Sequence, residues 1–143
     1  HNPFNEIECG DHYARAMASW GVYTALAGFE YDGPKGHIGF APRVTPEDFR
    51  AAITFAEGWG TFSQTRDEKS QREQIHVRWG RLSLKSLAFE VPDGFSAARA
   101  VVSLDNTAVK SGHAIKDGRL EITLAKEQVI AADQALIVTI HRE

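Results

Sequence analysis

The first seventeen residues hold the densest set of side chains that could do chemistry. Residues 2–17 read NPFNEIECGDHYARAM, with two glutamates, an aspartate, a cysteine, a histidine and an arginine. Pro3 and Gly10 constrain the backbone between these groups. Glu6 and Arg15 lie nine residues apart across a turn that doubles back into a helix, and a carboxylate with a guanidinium could grip sugar hydroxyls through charge-assisted hydrogen bonds. The same spacing also suits a structural ion pair that anchors the start of the helix.

Other chemistries fit this stretch less well. Glu6 and Glu8 could serve as the acid and nucleophile of glycoside hydrolysis, but carboxylates so close in the chain rarely have the required separation. A zinc site is not expected, because the chain has a single cysteine and the spacing of Cys9 and His12 matches no zinc pattern. Cys9 has no base placed beside it by the sequence. We therefore expect no catalytic residue, metal or cofactor in this chain.

Trp59 and Trp79 are the other residues that could bind a ligand. Aromatic rings on the face of a β-sheet can stack on sugar rings, which makes Trp59 a candidate for sugar stacking. Large aromatic side chains in strands usually belong to the core, however, and we expect both tryptophans there.

Composition and charge exclude several classes of function. The chain has 143 residues, of which 43% are hydrophobic and 24% charged, as is typical of one globular domain. Its net charge of −3 provides no basic surface for nucleic acid or an anionic membrane. No run reaches the roughly 20 apolar residues of a membrane span. The single cysteine and the lack of a visible leader are compatible with the cytoplasm.

A helix over residues 11–27 follows the polar stretch. Asp11 can cap its first turn, and Gly28 is expected to end it. Its many alanines would let a neighbouring helix approach closely, which suits a helix packed within a larger helical array. Its large side chains recur at helical spacing: Tyr13, Met17 and Trp20. We assign residues 1–28 to a motif and helix that derive from such an array.

The remaining residues, 29–143, show the alternation of β-strands. A first short strand is expected at His37–Phe40, and the phase of alternation shifts near Lys85-Ser86, which predicts a β-bulge. Asp117-Gly118 predicts a tight hairpin. The charge-rich run at 66–73 is expected to be a solvated loop. We therefore predict a mainly β fold, an antiparallel β-sandwich preceded by one N-terminal α-helix.

Residues 2–17 resemble the C-terminal signature of glycoside hydrolase family 116, which includes the non-lysosomal glucosylceramidase and bacterial β-glucosidases. The match is dense over this stretch and continues more loosely through residues 28–31 (GFEY) and 39–43 (GFAPR). After residues 58–62 (GWGTF) only a β-rich tail remains, of the sort that some bacterial relatives carry.

This resemblance implies that the catalytic residues lie outside this chain, while two sugar-binding residues lie within it. Enzymes of the family have an (α/α)6 barrel and hydrolyse with retention, and their Glu nucleophile and Asp acid lie upstream of the signature. The first Glu of the E-x-E-C-G run and the Arg nine residues later help to bind glucose hydroxyls, and they match Glu6 and Arg15. Asp11 and His12 match family positions that have no assigned role here.

We therefore expect the C-terminal piece of a retaining β-glucosidase or glucosylceramidase, inactive alone, whose full-length parent takes a glycoside substrate. The alternatives are a non-catalytic β-sandwich that binds carbohydrate or a partner chain, and a structural domain that seals one end of the barrel. A barrel helix without its barrel would expose apolar side chains, so we also expect a homodimer that buries the N-terminal helix.

Overall fold

The computed structural model describes residues 12–92 and 99–141, with side chains from residue 17 onward. One helix, α1 (His12–Ala27), precedes the strands. The strands are β1 (Glu30–Asp32), β2 (His37–Phe40), β3 (Asp48–Phe55), β4 (Gly58–Arg66), β5 (Ser70–Glu90), β6 (Arg99–Leu104), β7 (Thr107–Val109), β8 (Ser111–Lys116), β9 (Arg119–Ala131) and β10 (Ala135–His141). In the described ranges, no helix has the length and apolar character that crossing a membrane would require.

The long strand β5 connects two half-sheets into one mixed ten-stranded sheet. Its first part pairs with β4 and β10 in the order β3-β4-β5-β10-β6-β7, which we call the first half-sheet. Its second part pairs with β2 and β9 in the order β1-β2-β5-β9-β8, the second half-sheet. The mainly β prediction with one N-terminal helix is confirmed. The strand pairs are antiparallel as expected except for β2 with β5, which is parallel because the chain crosses over between them.

Strand β5 bends so that the two half-sheets face each other. Phe62 pairs with Ile75 on β5, and Phe89 lies fourteen residues further along the same strand. A straight strand would separate those two positions by about 46 Å. The rings of Phe62 and Phe89 are instead 6.3 Å apart, and Phe62 stacks on Phe40 of the second half-sheet at 3.6 Å. The core therefore fills the space between the half-sheets, and its largest fully buried side chains are Phe40, Phe62, Phe89, Ile38, Ile53, Ile75, Leu82, Leu84, Leu87, Leu120, Ile122 and Ile130.

The bend is centred on Gly80 and on the turn between β3 and β4. Gly80 has a positive φ of 80°, and a Cβ there would overlap the carbonyl oxygen of Glu57. Arg81 then binds the Glu57 carboxylate through two hydrogen bonds of 2.8 and 2.9 Å. A glycine is required at position 80 both for its backbone angle and for the close approach of the turn.

The β domain holds α1 by its C-terminal end. The Gly28 N–H donates to the Ala25 carbonyl and the Phe29 N–H to that of Thr24, the Schellman pattern, with Gly28 at φ 54°. The predicted end of the helix is thus confirmed. Two further bonds join α1 to the segment after β2: Ala41 N–H donates to Ala27 and Arg43 N–H to Leu26, at 3.1 and 2.8 Å.

Several local predictions can be compared with the structure. The strand at His37–Phe40 is confirmed, and the register between β5 and β9 shifts between Leu84 and Ser86, where the bulge was expected. Asp117 and Gly118 both have positive φ and connect β8 to β9, as a tight hairpin requires. The solvated loop at 66–73 is wrong in its second half, because β5 starts at Ser70. The division at residue 28 stays a prediction.

Candidate functional site

The predicted sugar-binding pair lies outside the described side chains. Glu6 precedes the first described residue, and Arg15 lies within α1 where only the backbone is described. Cys9 and Asp11 also lie outside the described residues. The contact between Glu6 and Arg15 therefore stays a prediction that rests on the sequence.

The two tryptophans of the β domain form an exposed pair on the outer face of the first half-sheet. Trp59 on β4 and Trp79 on β5 are cross-strand partners, and 48% and 64% of their surfaces are exposed. The expectation that both lie in the core is wrong. Neither ring stacks on another aromatic ring of the described residues. We call these two residues the tryptophan pair.

Glycines and a register shift explain why the tryptophan pair faces outward. The pairing of β4 with β5 shifts between Trp59 and Gly60, so that Arg78 and Trp79 are exposed in succession. A Cβ on Gly60 would overlap the His76 carbonyl oxygen, and the strands thus approach closely beside the indole rings. The local sequence G-W-G at 58–60 is the signal that could have predicted this irregularity.

A groove of about 430 Å³ continues along the same outer face, and we call it the polar groove. Thr61 pairs with His76, and Ser63 pairs with Gln74, so that two rows of hydrogen-bonding side chains run side by side. All four are half-buried. Since Ser63 lies four residues from Trp59, the groove and the tryptophan pair together span about 13 Å along β4.

The charge of the polar groove is positive. Arg50 and Arg78 line it, and no acidic residue does. Arg50 lies 3.6 Å from the exposed Asp48, while Arg78 makes no ion pair with any described residue. The groove can therefore offer hydrogen bonds to hydroxyl groups and a cation to an anionic substituent.

A second polar cluster is buried beneath the opposite face of β4 and β5. Gln71 Nε2 donates to Glu73 Oε1 at 2.6 Å and to the Glu90 carbonyl at 2.8 Å. Arg66 Nε donates to Gln71 Oε1 at 2.8 Å. Burial raises the pKa of Glu73 to about 8 against the opposing effects of Gln71 and Arg66. Glu73 is only 1% exposed, so no substrate can reach it and its role is structural.

A further groove of about 470 Å³ lies between the β6–β7 turn and β9. Asp105, Lys110 and Lys126 contribute its charged groups, and no aromatic side chain lines it. It offers no surface on which a ring could stack. Across residues 12–92 and 99–141, no three His, Cys, Asp or Glu side chains converge as metal ligands would.

Comparison with known proteins gives a structural likeness but no match in sequence. No protein-family model and no curated protein sequence matches the chain. The chain is similar in structure to a small part of an α-L-rhamnosidase from Dictyoglumus thermophilum, with 15% sequence identity and a TM-score of 0.47. The similarity covers 82% of this chain and 12% of the rhamnosidase, so the chain spans about an eighth of that glycoside hydrolase.

Proposed function

We propose that this chain is the C-terminal part of a retaining β-glucosidase of the family 116 type, in which α1 belongs to the helical catalytic barrel. In this proposal Glu6 and Arg15 bind glucose hydroxyls and the β domain carries no catalytic group. The nucleophile and the acid are supplied by the parent polypeptide. The observation that carries the proposal is the exposure of the uncharged part of α1, residues 17–27.

From residue 17 to residue 27, α1 contains no charged side chain. Exposed apolar residues lie on opposite sides of it: Met17 (59%), Trp20 (51%), Val22 (58%) and Leu26 (41%). At 100° per residue, Met17 and Val22 are about 140° apart around the helix axis. A helix that is apolar on all sides is stable when neighbours surround it. A helical array provides that environment, whereas a single flat partner would cover only one side.

The hydroxyl of Tyr23 gives independent support. Its oxygen is buried, and it has no hydrogen-bond partner among the described residues. Burial raises the pKa of this hydroxyl. Buried tyrosine hydroxyls normally find a partner, so a polar group from additional chain packed against α1 would complete this site.

The test compares this chain with the polypeptide that includes its upstream reading frame. We expect the chain alone to give no turnover of aryl β-glucosides, and the longer polypeptide to be active. Glu6→Gln or Arg15→Gln in the longer polypeptide should raise KM about tenfold or more, because each removes a charge-assisted bond to the substrate. Glu8→Gln is the matched control and should leave KM unchanged. Turnover by the chain alone, or an upstream frame without a helical region bearing Glu and Asp, would refute the proposal.

A second candidate function is carbohydrate binding without chemistry. It is favoured by the exposed tryptophan pair, which the helix does not explain.

A further inference from the structure

We propose that the tryptophan pair and the polar groove form a binding site for an acidic oligosaccharide, one whose sugar rings carry carboxylate groups. This inference deepens the second candidate function and goes beyond the proposed glucosidase function, since it gives the β domain a ligand of its own. It also stands if that function is wrong, because no step in it depends on α1 or on the parent enzyme.

The tryptophan pair provides the apolar contact. Two indole rings on neighbouring strands remain 48% and 64% exposed, although Trp is among the most costly side chains to leave in water. The C–H faces of a sugar ring pack on the electron-rich face of an aromatic ring. Trp59 and Trp79 are cross-strand partners on one sheet face. Two adjacent sugar rings can therefore pack on the two indole rings at once.

The polar groove provides the hydrogen bonds. Thr61, Ser63, Gln74 and His76 lie in two paired rows that lead away from the tryptophan pair on the same strands. All four are half-buried. Thr61, Ser63 and His76 can each donate and accept, as hydroxyl groups can, whereas Gln74 offers its amide N–H groups because its Oε1 accepts from Arg72 Nη2 at 3.3 Å. A site with an apolar platform and a few placed polar groups is the usual form of a small-ligand site.

The charge selects an acidic sugar over a neutral one. Arg78 has no ion-pair partner among the described residues and lies beside Trp79 in sequence, while Arg50 lines the groove from β3. No acidic residue lines the groove, and its charged side chains are both arginines. Arg50 lies 3.6 Å from Asp48 beside the groove, so Arg78 is the cation left for a sugar carboxylate. A guanidinium binds a carboxylate through two parallel hydrogen bonds.

Two other occupants fit less well. Single-stranded nucleic acid also stacks on aromatic rings, but it carries a phosphate at every nucleotide, and this groove has two arginines in a chain of net charge −3. A second copy of the chain, bound by the same face, would bring the arginines of both copies together. Such a contact is repulsive.

Calorimetric titration of the purified chain provides the test, with tetragalacturonate, the neutral galactotetraose and a ten-nucleotide oligothymidylate as probes. We expect tetragalacturonate to bind most tightly. Trp59→Ala and Trp79→Ala should each weaken the binding of tetragalacturonate about tenfold, which corresponds to a loss of about 1.4 kcal/mol in binding free energy. Trp20→Ala is the matched control, since Trp20 on α1 is 51% exposed and lies outside the groove. Two separate tryptophan variants keep the test valid if one of them fails to fold.

The charge is tested with Arg78→Gln. This variant should weaken the binding of tetragalacturonate and leave the binding of the neutral sugar unchanged. Arg99 is an exposed arginine on β6, and Arg99→Gln should change the binding of neither sugar. Added salt should weaken the binding of tetragalacturonate and leave the binding of the neutral sugar unchanged. The proposal is overturned if no oligosaccharide binds, if the tryptophan variants bind as well as the wild type, or if the oligothymidylate binds more tightly than both sugars. Equal binding of the two sugars would refute the choice of an acidic ligand.

Discussion

Replacing the buried carboxyl Glu73 with glutamine should make the chain more stable at alkaline pH and remove most of the pH dependence of its unfolding between pH 5 and pH 8. Glu73 lies on β5 directly opposite Gln64 of β4, and both side chains are buried. Burial raises the pKa of Glu73 from its ordinary 4.5 to about 8. The folded chain therefore keeps a proton on this carboxyl at pH values where the unfolded chain has lost it.

The sign and the size of the effect follow from proton linkage. Between pH 4.5 and pH 8 the folded state binds one more proton than the unfolded state at this site. The free energy of unfolding therefore falls by about 1.4 kcal/mol for each unit of rising pH. The full contribution is present below pH 4.5 and is lost as the pH rises through 8, a total of about 4–5 kcal/mol. At pH 7 the loss is about 3 kcal/mol.

The hydrogen bonds explain why glutamine fits this site. Glu73 Oε1 accepts from Gln71 Nε2. Glu73 Oε2 and Gln64 Oε1 are both buried without a partner among the described residues, and two acceptors cannot bond to each other. A proton on Oε2 turns one of them into a donor. The amide of glutamine supplies an acceptor and a donor in the same positions, and it has no charge at any pH.

Urea unfolding at pH 5, 6, 7 and 8 provides the measurement. We expect wild type and Glu73→Gln to differ by less than about 1 kcal/mol at pH 5, and the variant to be about 4 kcal/mol more stable at pH 8. Glu121→Gln, which changes an exposed carboxylate on β9, is the control and should keep the wild-type pH dependence. The reasoning is refuted if Glu73→Gln keeps the wild-type slope, or if it is less stable than the wild type at pH 8.

Two further predictions concern the bend of β5 and the exposed helix. Gly80→Ala should destabilise the chain by more than about 2 kcal/mol in thermal or urea unfolding, because a Cβ would overlap the Glu57 carbonyl at a φ of 80°. Gly112 has open space around it, so Gly112→Ala should change the free energy of unfolding by no more than about 0.5 kcal/mol. Equal losses for the two variants would contradict this account of the bend. The isolated chain should form a homodimer that buries α1, since Met17 and Trp20 are exposed. Light scattering should show that Trp20→Asp dissociates this dimer. A wild-type monomer at high concentration would contradict the prediction.

The sequence predicts those parts of the fold in which local preference and burial agree. Gly28 ends α1 because only a residue tolerant of positive φ fits there, and Asp117-Gly118 forms a hairpin for the same reason. The bulge at Lys85 was visible as a shift of the apolar alternation, since one extra residue exchanges the two faces of a strand. These features depend on a few neighbouring residues.

The features that were missed depend on pairing between distant segments. The parallel contact of β2 with β5 joins residues 49 positions apart, such as His37 and Ser86. The sharp bend of β5 brings Arg81 to Glu57, which lies 24 positions earlier in the chain. The charges of the run at 66–73 predict a solvated loop, yet Gln71 and Glu73 are buried. Gln71, near the start of β5, donates to the carbonyl of Glu90 at the end of the same strand. Trp59 follows the alternation of β4, in which Gly60 and Phe62 face inward. Trp79 faces outward because the register shift inserts Arg78 between it and the buried Val77, and that shift depends on the pairing of β4 with β5.

The connection between α1 and the β domain bears on how the two proposals relate. Two backbone hydrogen bonds and the buried Ala27 join the end of α1 to the segment after β2. Phe40, the last residue of β2, stacks at 3.6 Å on Phe62 in the centre of the core. The C-terminal end of α1 is therefore joined to the segment that leaves the core, and the polar groove lies on the outer side of the same β4 strand. If α1 carries one wall of a glucose pocket, the β domain anchors the C-terminal end of that helix, and the same polypeptide would bind a glycan in the polar groove.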